Sequence, residues 1–428
     1  MITITTEFLD SHWEILRETS ILPTQFSVWD DGDAYTQTNI GVLPSRKLAL
    51  GAVVIGDIPV SDFSLVIRLQ KCTDEDQDTI YSAPDGNQYQ AIGIRIGNGS
   101  NQFIPVRIEN VTSTLATRRR GLIETDELKD SSVLIVGLGT GGIIVALELA
   151  KAGVGKFVLI DPDRLEIGNV SRHNAGISFV GRKKVAAARD LILETNPYAE
   201  VKIHSIRADE QVEELLRNII LQSDLVICTT DNRSSKLYIN KLSIEANKCV
   251  LFAGARRRAY GGEILRVRPG ESACYHCYVL IKPDEEADRE ISSEEDADSI
   301  AYSDMPVAIE PGLSIDVAPI AIMVAKLALQ ELLTGKESTL HILDKDFKAN
   351  LYSWGNRPEP DTEFASCPPL SDSIDEITIL RWYGIYLDKE SGCPTCGDFE
   401  AAMKEQYGID SSLGSLPLKP DTSNNKGN

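Results

Sequence analysis

The hydrophobic positions in the first part of the chain follow the short period of β-strands. Between residues 47 and 108, apolar or alternating runs are separated by turn signals such as Asp85-Gly86 and Asn98-Gly99. Such runs predict strands joined by turns. We therefore predict a separate, mostly β N-terminal domain over residues 1–115. Its sequence contains no recognisable catalytic constellation, so partner binding, substrate binding and dimer contact all remain open for it.

From residue 131 the pattern changes to apolar strands alternating with longer helical segments. Val133–Val136 and Phe157–Ile160 are apolar runs that suit buried parallel strands, and a helical segment lies between them. A later apolar segment, residues 320–333, predicts a long helix, and 339–343 predicts another strand. This alternation predicts an α/β domain with a doubly wound, Rossmann-like sheet over 116–410. The polar segment 411–428 is predicted to be a disordered tail.

A glycine-rich turn follows the first of these strands. The glycines fit the pattern G-x-G-x-x-G, and they are Gly137, Gly139, Gly141 and Gly142. Glycines in this pattern allow a tight turn and a close approach to phosphate, and the next helix N-terminus adds partial positive charge. Asp161 ends the second strand, where an acid can hydrogen-bond a ribose hydroxyl. These features predict an adenine nucleotide, either NAD or ATP.

The charged residues that follow distinguish ATP from NAD. A nucleotidyl transferase requires cations near the ribose acid, because negative charge develops on phosphate oxygens during attack. Candidates follow in order along the chain, and they are Asp163, Asn169, Arg172 and Lys184. Asp231, followed by Asn232, comes at the end of another apolar strand, where a carboxylate can hold the Mg²⁺ that bridges ATP phosphates. The ordered set favours ATP.

These motifs together resemble a known family. The matching segments are LKDSSVLIVGLGTGG, AGVGKFVLIDPDRLEIGNVSRHN, VGRKKVAAARDLI and DLVICTTDN. They resemble the ThiF/MoeB/HesA adenylyltransferases of the ubiquitin-activating-enzyme superfamily, over about residues 115–400. The resemblance implies ATP-dependent adenylation of the C-terminal carboxylate of a ubiquitin-like or sulfur-carrier protein, with release of pyrophosphate. Thr140 departs from the family pattern, which usually has a second glycine at that position.

The resemblance also implies roles for individual residues. Asp161 is expected to bind ribose, Asp231 to hold Mg²⁺, and three further residues to contact the phosphates, namely Asn169, Arg172 and Lys184. An arginine from the segment before the nucleotide fold is expected to reach the partner's ATP across a homodimer, and Arg118–Arg120 are the candidates. We take Arg118, Arg172, Lys184 and Asp231 as catalytic candidates. The expected nucleotide-binding set is Gly137, Gly139, Gly141, Gly142, Asp161, Asp163, Asn169, Arg172, Lys184, Asp231 and Asn232.

Two C-x-x-C pairs predict a metal-binding site. Cys274 and Cys277 form one pair, and Cys393 and Cys396 form the other. Two such pairs can close a tetrahedral zinc site, and the family's own two cysteine pairs strengthen that interpretation. With no export signal evident, metal binding is a better interpretation than disulfides. His276 lies inside the first pair and is a less favoured alternative as a metal ligand.

The segment between the two cysteine pairs bears on how an acyl-adenylate is passed on. The resemblance implies an acidic crossover loop over residues 278–309, and residues 278–366 contain no cysteine. We therefore predict direct transfer of the adenylate to an external nucleophile. An oxyester on a serine of this loop is the minority alternative.

Composition sets broader limits. The chain has 428 residues and a formal net charge of −21, which argues against nucleic acid as a main partner. No apolar run approaches the length needed to span a bilayer, so we expect no membrane association. We predict a cytoplasmic homodimer that acts on a carrier protein, with a conjugating enzyme as a candidate further partner.

Three alternatives remain at this stage. A peptide-modifying adenylyltransferase of the microcin-maturing type would also carry an extra N-terminal domain. An NAD-dependent oxidoreductase would explain the glycines and Asp161 but would leave Arg172, Lys184 and Asp231 without a role. An inactive scaffold that binds a ubiquitin-like protein would not require the charged set. His173, beside Arg172, is interpreted as a polar loop residue, although a catalytic role is open.

Overall fold

A computed structural model describes residues 2–28, 35–37, 47–56, 58, 62–71, 79–96, 100–109, 125–281, 312–358, 365 and 378–398. The chain separates into two compact units, Met1–Thr125 and Asp126–Asn428, and each is described by itself. Arg118–Arg120, most of the predicted crossover loop and the predicted tail lie outside the described residues. Among the described helices, none combines the length and hydrophobicity needed to cross a membrane.

The first unit is built mainly from strands. Its elements are β1 (Ile2–Thr5), α1 (Thr6–Ser11), α2 (Trp13–Thr19), β2 (Ile21–Val28), β3 (Tyr35–Gln37), β4 (Lys47–Ile55), β5 (Leu65–Lys71), β6 (Ile80–Ser82), β7 (Gln88–Ile96), β8 (Asn101–Ile104) and β9 (Val106–Glu109). The described strands form one sheet in the order β6-β7-β5-β4-β2-β3-β1-β9, and β8 pairs with β7. Trp13 and Leu16 of α2 are buried in one core cluster with Ile67 of β5, so the short helices cover this sheet.

The second unit alternates strands and helices. Its elements are α3 (Thr125–Leu128), β10 (Ser132–Val136), α4 (Thr140–Ala152), β11 (Lys156–Ile160), α5 (Lys184–Thr195), β12 (Glu200–His204), α6 (Glu213–Gln222), β13 (Leu225–Cys228), α7 (Arg233–Glu245), β14 (Val250–Ala255), β15 (Gly261–Val267), α8 (Tyr275–Ile281), α9 (Ser314–Leu332), β16 (Leu351–Gly355) and β17 (Arg381–Ile385). The strand predicted over 339–343 is wrong, because Thr339–Lys345 forms a 3₁₀ helix. Ser338 begins that helix by accepting a hydrogen bond from the Leu340 N–H at 3.0 Å.

The sheet of the second unit has the order β12-β11-β10-β13-β14-β15-β16-β17. Strands β10 to β14 pair in parallel, whereas β15, β16 and β17 pair antiparallel. This topology confirms the predicted doubly wound, Rossmann-like fold. The strand order reverses at β10, which lies between β11 and β13. A crevice opens at such a reversal, beyond the carboxyl ends of the strands, and it is the usual ligand site of this fold.

Helix α9 joins the core through packing and through a buried ion pair. Its Ile320 packs where Gly262 of β15 has no side chain, and a Cβ on Gly262 would lie 2.1 Å from Ile320 Cδ1. Near the other end of α9, Glu331 is 3.2 Å from Arg266 and 2.7 Å from Arg268. The Glu331 side chain is 9% exposed and that of Arg266 is 3% exposed. Because both groups are removed from water, each depends on the other for charge compensation.

We predict that Glu331→Gln destabilises the second unit strongly. The variant leaves the buried Arg266 without its anion, a change that costs about 3 kcal/mol in comparable pairs. Glu148→Gln is the matched control, since Glu148 pairs with Lys151 on the surface of α4 at 2.6 Å. Breaking such an exposed pair costs about 0.5 kcal/mol or less. Urea unfolding measures both values, and equal effects of the two substitutions would contradict the prediction.

Candidate nucleotide-binding site and metal centre

The glycine turn between β10 and α4 is fixed by close backbone contacts. Gly137 has a φ of +92°, and a Cβ there would lie 2.8 Å from the Thr230 nitrogen. A Cβ on Gly142 would lie 2.1 Å from the Gly137 oxygen. Gly139 differs, since a Cβ there would have no atom within 4 Å. Two of the predicted glycines are therefore required by packing, and Gly139 borders open space beside the N-terminus of α4.

Side chains from three neighbouring segments hold this turn. The Leu138 N–H donates to Asp161 Oδ2 at 2.7 Å, and the Leu138 carbonyl accepts from His173 Nε2 at 3.0 Å. The Thr229 hydroxyl, just after β13, donates to the Gly137 carbonyl at 2.8 Å. Asp161 follows β11, and His173 lies in the loop that leads to α5. The turn is thus anchored to three parts of the crevice.

Asp161 is buried, and its two carboxylate oxygens have separate roles in the fold. Besides the Leu138 bond, Oδ1 accepts from the Asp163 N–H at 2.9 Å. Burial raises the pKa of Asp161, and the nearby Lys184 and the two backbone N–H donors oppose that shift. The structure therefore gives Asp161 an anchoring role that the sequence did not indicate. Its contact with ribose stays a prediction.

Charged residues predicted from the sequence come together around Lys184, the first residue of α5. Lys184 Nζ lies 2.7 Å from Asp163 Oδ2. Burial acts to lower the pKa of Lys184, but the charges of Asp161, Asp163 and Asp231 outweigh it, and the pKa is raised overall. Asp231 is exposed and close enough to contribute to that shift. The crevice therefore holds a lysine with a raised pKa among three acidic side chains, an arrangement able to bind a metal–phosphate group.

The remaining predicted residues shape the rim of the crevice. Asn169 Oδ1 accepts from the Glu166 N–H at 3.1 Å, and the Asn169 carbonyl accepts from the Arg172 N–H at 2.9 Å. Arg172 is half-buried. Asn232 Oδ1 accepts from the Ser235 N–H at 3.0 Å and so caps α7. The oxygens of both asparagines stabilise local turns, and their nucleotide contacts stay predictions.

His173 is a residue whose role the sequence missed. It is 8% exposed, and its Nδ1 accepts a hydrogen bond from the Ala175 N–H at 3.0 Å. Since Nδ1 is an acceptor, the proton of the neutral ring lies on Nε2, which donates to Leu138. Burial lowers the pKa of His173, which favours this neutral form. The local sequence, a histidine followed by an asparagine in a polar loop, does not indicate a hydrogen bond to Leu138, which lies 35 positions earlier.

The four predicted cysteines converge at one place. Cys274 precedes α8 and Cys277 lies in its first turn. The Cys274 sulfur lies 3.9 Å from that of Cys277 and 3.6 Å from that of Cys393, and the sulfurs of Cys277 and Cys396 are 3.4 Å apart. All four sulfurs lie within 4.8 Å of one another. Four thiolates about 2.3 Å from a tetrahedral zinc would be about 3.8 Å apart, so the cluster can hold a metal ion.

Other polar groups support the cysteine cluster. The Glu390 N–H donates to Cys277 Sγ at 3.5 Å, and the Tyr275 N–H donates to the buried Asn240 side chain at 2.9 Å. His276 Nδ1 hydrogen-bonds the Thr395 hydroxyl at 2.9 Å, and within the described part of the chain the group able to hold a metal consists of the four cysteines. The cluster therefore connects α8 to the segment that follows β17.

Comparison with known proteins identifies the family of this chain. The sequence profile of the ThiF family matches residues 112–361, which is more than half of the chain. The chain belongs to the ThiF family. The glycine turn, the Lys184 cluster and Cys274 and Cys277 all fall inside the matched region, whereas Cys393 and Cys396 lie beyond it.

Individual relatives match a smaller part of the chain. Ubiquitin-like modifier-activating enzyme 5 of Caenorhabditis briggsae is 31% identical over 172 residues, which cover 38% of this chain and 40% of that protein. The Xenopus laevis enzyme of the same name is 27% identical over 208 residues, or 43% of this chain and 51% of that protein. This ThiF-family chain thus spans about half or less of these relatives. A crystal structure of E. coli MccB with ATP covers 64% of this chain and 68% of its own, at 18% identity and a TM-score of 0.44.

We predict that Gly142→Ala disrupts the glycine turn. The new Cβ would overlap the Gly137 carbonyl, so the turn or α4 must shift, at a cost of about 2 kcal/mol or more. Gly139→Ala is the matched control, because the site is open and its φ of −70° suits alanine. Its cost should stay within about 1 kcal/mol, the effect of a poorer helix cap. Urea unfolding followed by circular dichroism checks both, and a larger loss in Gly139→Ala would refute the prediction.

Proposed function

We propose that this protein uses Mg-ATP to adenylate the C-terminal carboxylate of a ubiquitin-like or sulfur-carrier protein, releasing pyrophosphate. The observation that carries the proposal is the charged cluster of Lys184, Asp163 and Asp231 beside an anchored glycine turn. Membership of the ThiF family supports it, and so do relatives named as ubiquitin-like modifier-activating enzymes. An NAD-dependent oxidoreductase has no use for this cluster.

The proposed chemistry assigns a part to each charged residue. The carrier carboxylate attacks the α-phosphate in line, and negative charge grows on the phosphate oxygens. Lys184 and Arg172 stabilise that charge, and Asp161 orients the ribose. Asp231 would hold Mg²⁺, and the bound ion would neutralise part of the phosphate charge. The raised pKa of Lys184 keeps it cationic throughout the physiological pH range.

We expect ATP–pyrophosphate exchange that depends on the carrier protein and on Asp231. Asp231→Asn weakens the metal ligand and should reduce exchange by about 100-fold or more. Asp209→Asn is the control, because it makes the same charge change at a helix cap and asparagine also caps well. Retention of exchange in Asp231→Asn would contradict the assignment.

The exchange assay, together with assays of NAD reduction and of protein binding, separates the alternatives. Exchange that requires a short peptide and not a ubiquitin-like protein would favour the peptide-modifying class. Reduction of NAD with a small substrate, and no pyrophosphate exchange, would refute adenylation. Binding of a ubiquitin-like protein with no exchange at all would indicate a scaffold.

We also propose that the four-cysteine cluster holds a structural zinc ion. Four thiolates leave no open coordination position, so the ion would stabilise the fold and take no part in the reaction. The sulfur separations fit tetrahedral zinc, and the cluster connects two segments that are far apart in the chain.

We predict that Cys393→Ser releases this metal and lowers the free energy of unfolding. Removing one thiolate weakens the site, and binding free energy of a structural zinc is folding free energy. Cys228→Ser is the control, since Cys228 is buried in β13 outside the cluster. Metal analysis of freshly purified, reduced protein measures zinc content, and wild-type protein without zinc would refute the proposal.

The wider assembly is also part of the proposal. The protein acts as a cytoplasmic homodimer in which an arginine from Arg118–Arg120 reaches the partner's nucleotide. The adenylate passes directly to an external nucleophile, with a conjugating enzyme as a candidate acceptor, because residues 278–366 contain no cysteine. The family resemblance and the sequence support these points.

A further inference from the structure

The imidazole of His173 connects two segments that border the nucleotide crevice. Its Nδ1 accepts from the Ala175 N–H in its own loop, and its Nε2 donates to the Leu138 carbonyl in the glycine turn. The N–H of Leu138 is held at the same time by Asp161. Leu138 is therefore fixed through both of its backbone groups, and the side chains that hold it come from two different segments.

The hydrogen bond to the Leu138 carbonyl also determines where the next amide points. In a trans peptide the C=O and the following N–H point in opposite directions. Holding the Leu138 carbonyl toward His173 therefore turns the Gly139 N–H away from the imidazole. Gly139 borders open space at the N-terminus of α4, where backbone N–H groups favour an anion.

We propose that His173 is a positioning residue for the nucleotide, acting through the Leu138 carbonyl to orient the Gly139 N–H. The inference rests on the proposed function for the identity of the nucleotide. It requires no contact between His173 and the substrate. If the turn already has its binding conformation before the nucleotide arrives, no free energy is needed to order it on binding. The nucleotide therefore binds more tightly.

Replacing His173 with glutamine or with asparagine tests its two hydrogen bonds separately. Glutamine can place its Nε2 where the histidine Nε2 lies, so His173→Gln keeps the donor to Leu138. Asparagine can place its Oδ1 near the position of Nδ1, so His173→Asn keeps the acceptor for Ala175 and loses the donor to the turn. The two variants are both neutral and polar, and each serves as the control for the other.

The experiment measures the affinity of the full chain for Mg-ATP by calorimetry, without a carrier protein. His173→Gln should bind within about threefold of wild type, and His173→Asn about tenfold more weakly, since a buried carbonyl loses its donor. Urea unfolding of both variants controls for stability. Binding in His173→Asn that equals or exceeds that of His173→Gln would overturn the proposal, and so would equal losses in the two variants.

These measurements are separable from the test of the proposed function. Absence of pyrophosphate exchange in wild type would refute adenylation and leave the binding comparison intact. Normal exchange with no difference between the glutamine and asparagine variants would refute the positioning role alone.

Discussion

The backbone of Leu138 is held between a carboxylate and an imidazole, and the geometry of the crevice depends on that constraint. A loop rich in glycine has high conformational entropy, because its residues can adopt many backbone conformations. Here Asp161 and His173 restrict it through the Leu138 N–H and C=O, and Thr229 restricts it through the Gly137 carbonyl. The contact between Gly142 and the Gly137 carbonyl excludes any larger residue at that position. Flexible residues thereby form a turn of defined shape.

The charges of the crevice are arranged in a similarly interdependent way. Burial acts to lower the pKa of Lys184, yet the charges of Asp161, Asp163 and Asp231 raise it overall. Asp161 in turn depends on backbone N–H donors and on Lys184 to limit the cost of its own burial. The anchoring of the turn and the electrostatics of the site therefore share one residue, Asp161. A change at Asp161 would disturb the loop and the charge balance together.

Two features outside the crevice bring together segments of the second unit that are far apart in sequence. The buried pair of Arg266 and Glu331 joins α9 to β15, and the cysteine cluster lies where the segment after β17 meets α8. The ion pair places two charged groups where water is scarce, so each group depends on the other for charge compensation.

The sequence by itself determined the parts of this protein that depend on local pattern. Strand–helix alternation indicated the doubly wound sheet, the spacing of Gly137 and Gly142 indicated the turn, and two C-x-x-C pairs indicated the metal-competent cluster. The strand predicted over 339–343 was wrong because an apolar run cannot report that Ser338 begins a 3₁₀ helix there. Only the tertiary structure decided the roles of His173 and Thr229. Their bonds to the glycine turn cross 35 and 92 positions of sequence, and such side-chain-to-backbone contacts leave no periodic pattern because the fold alone creates them.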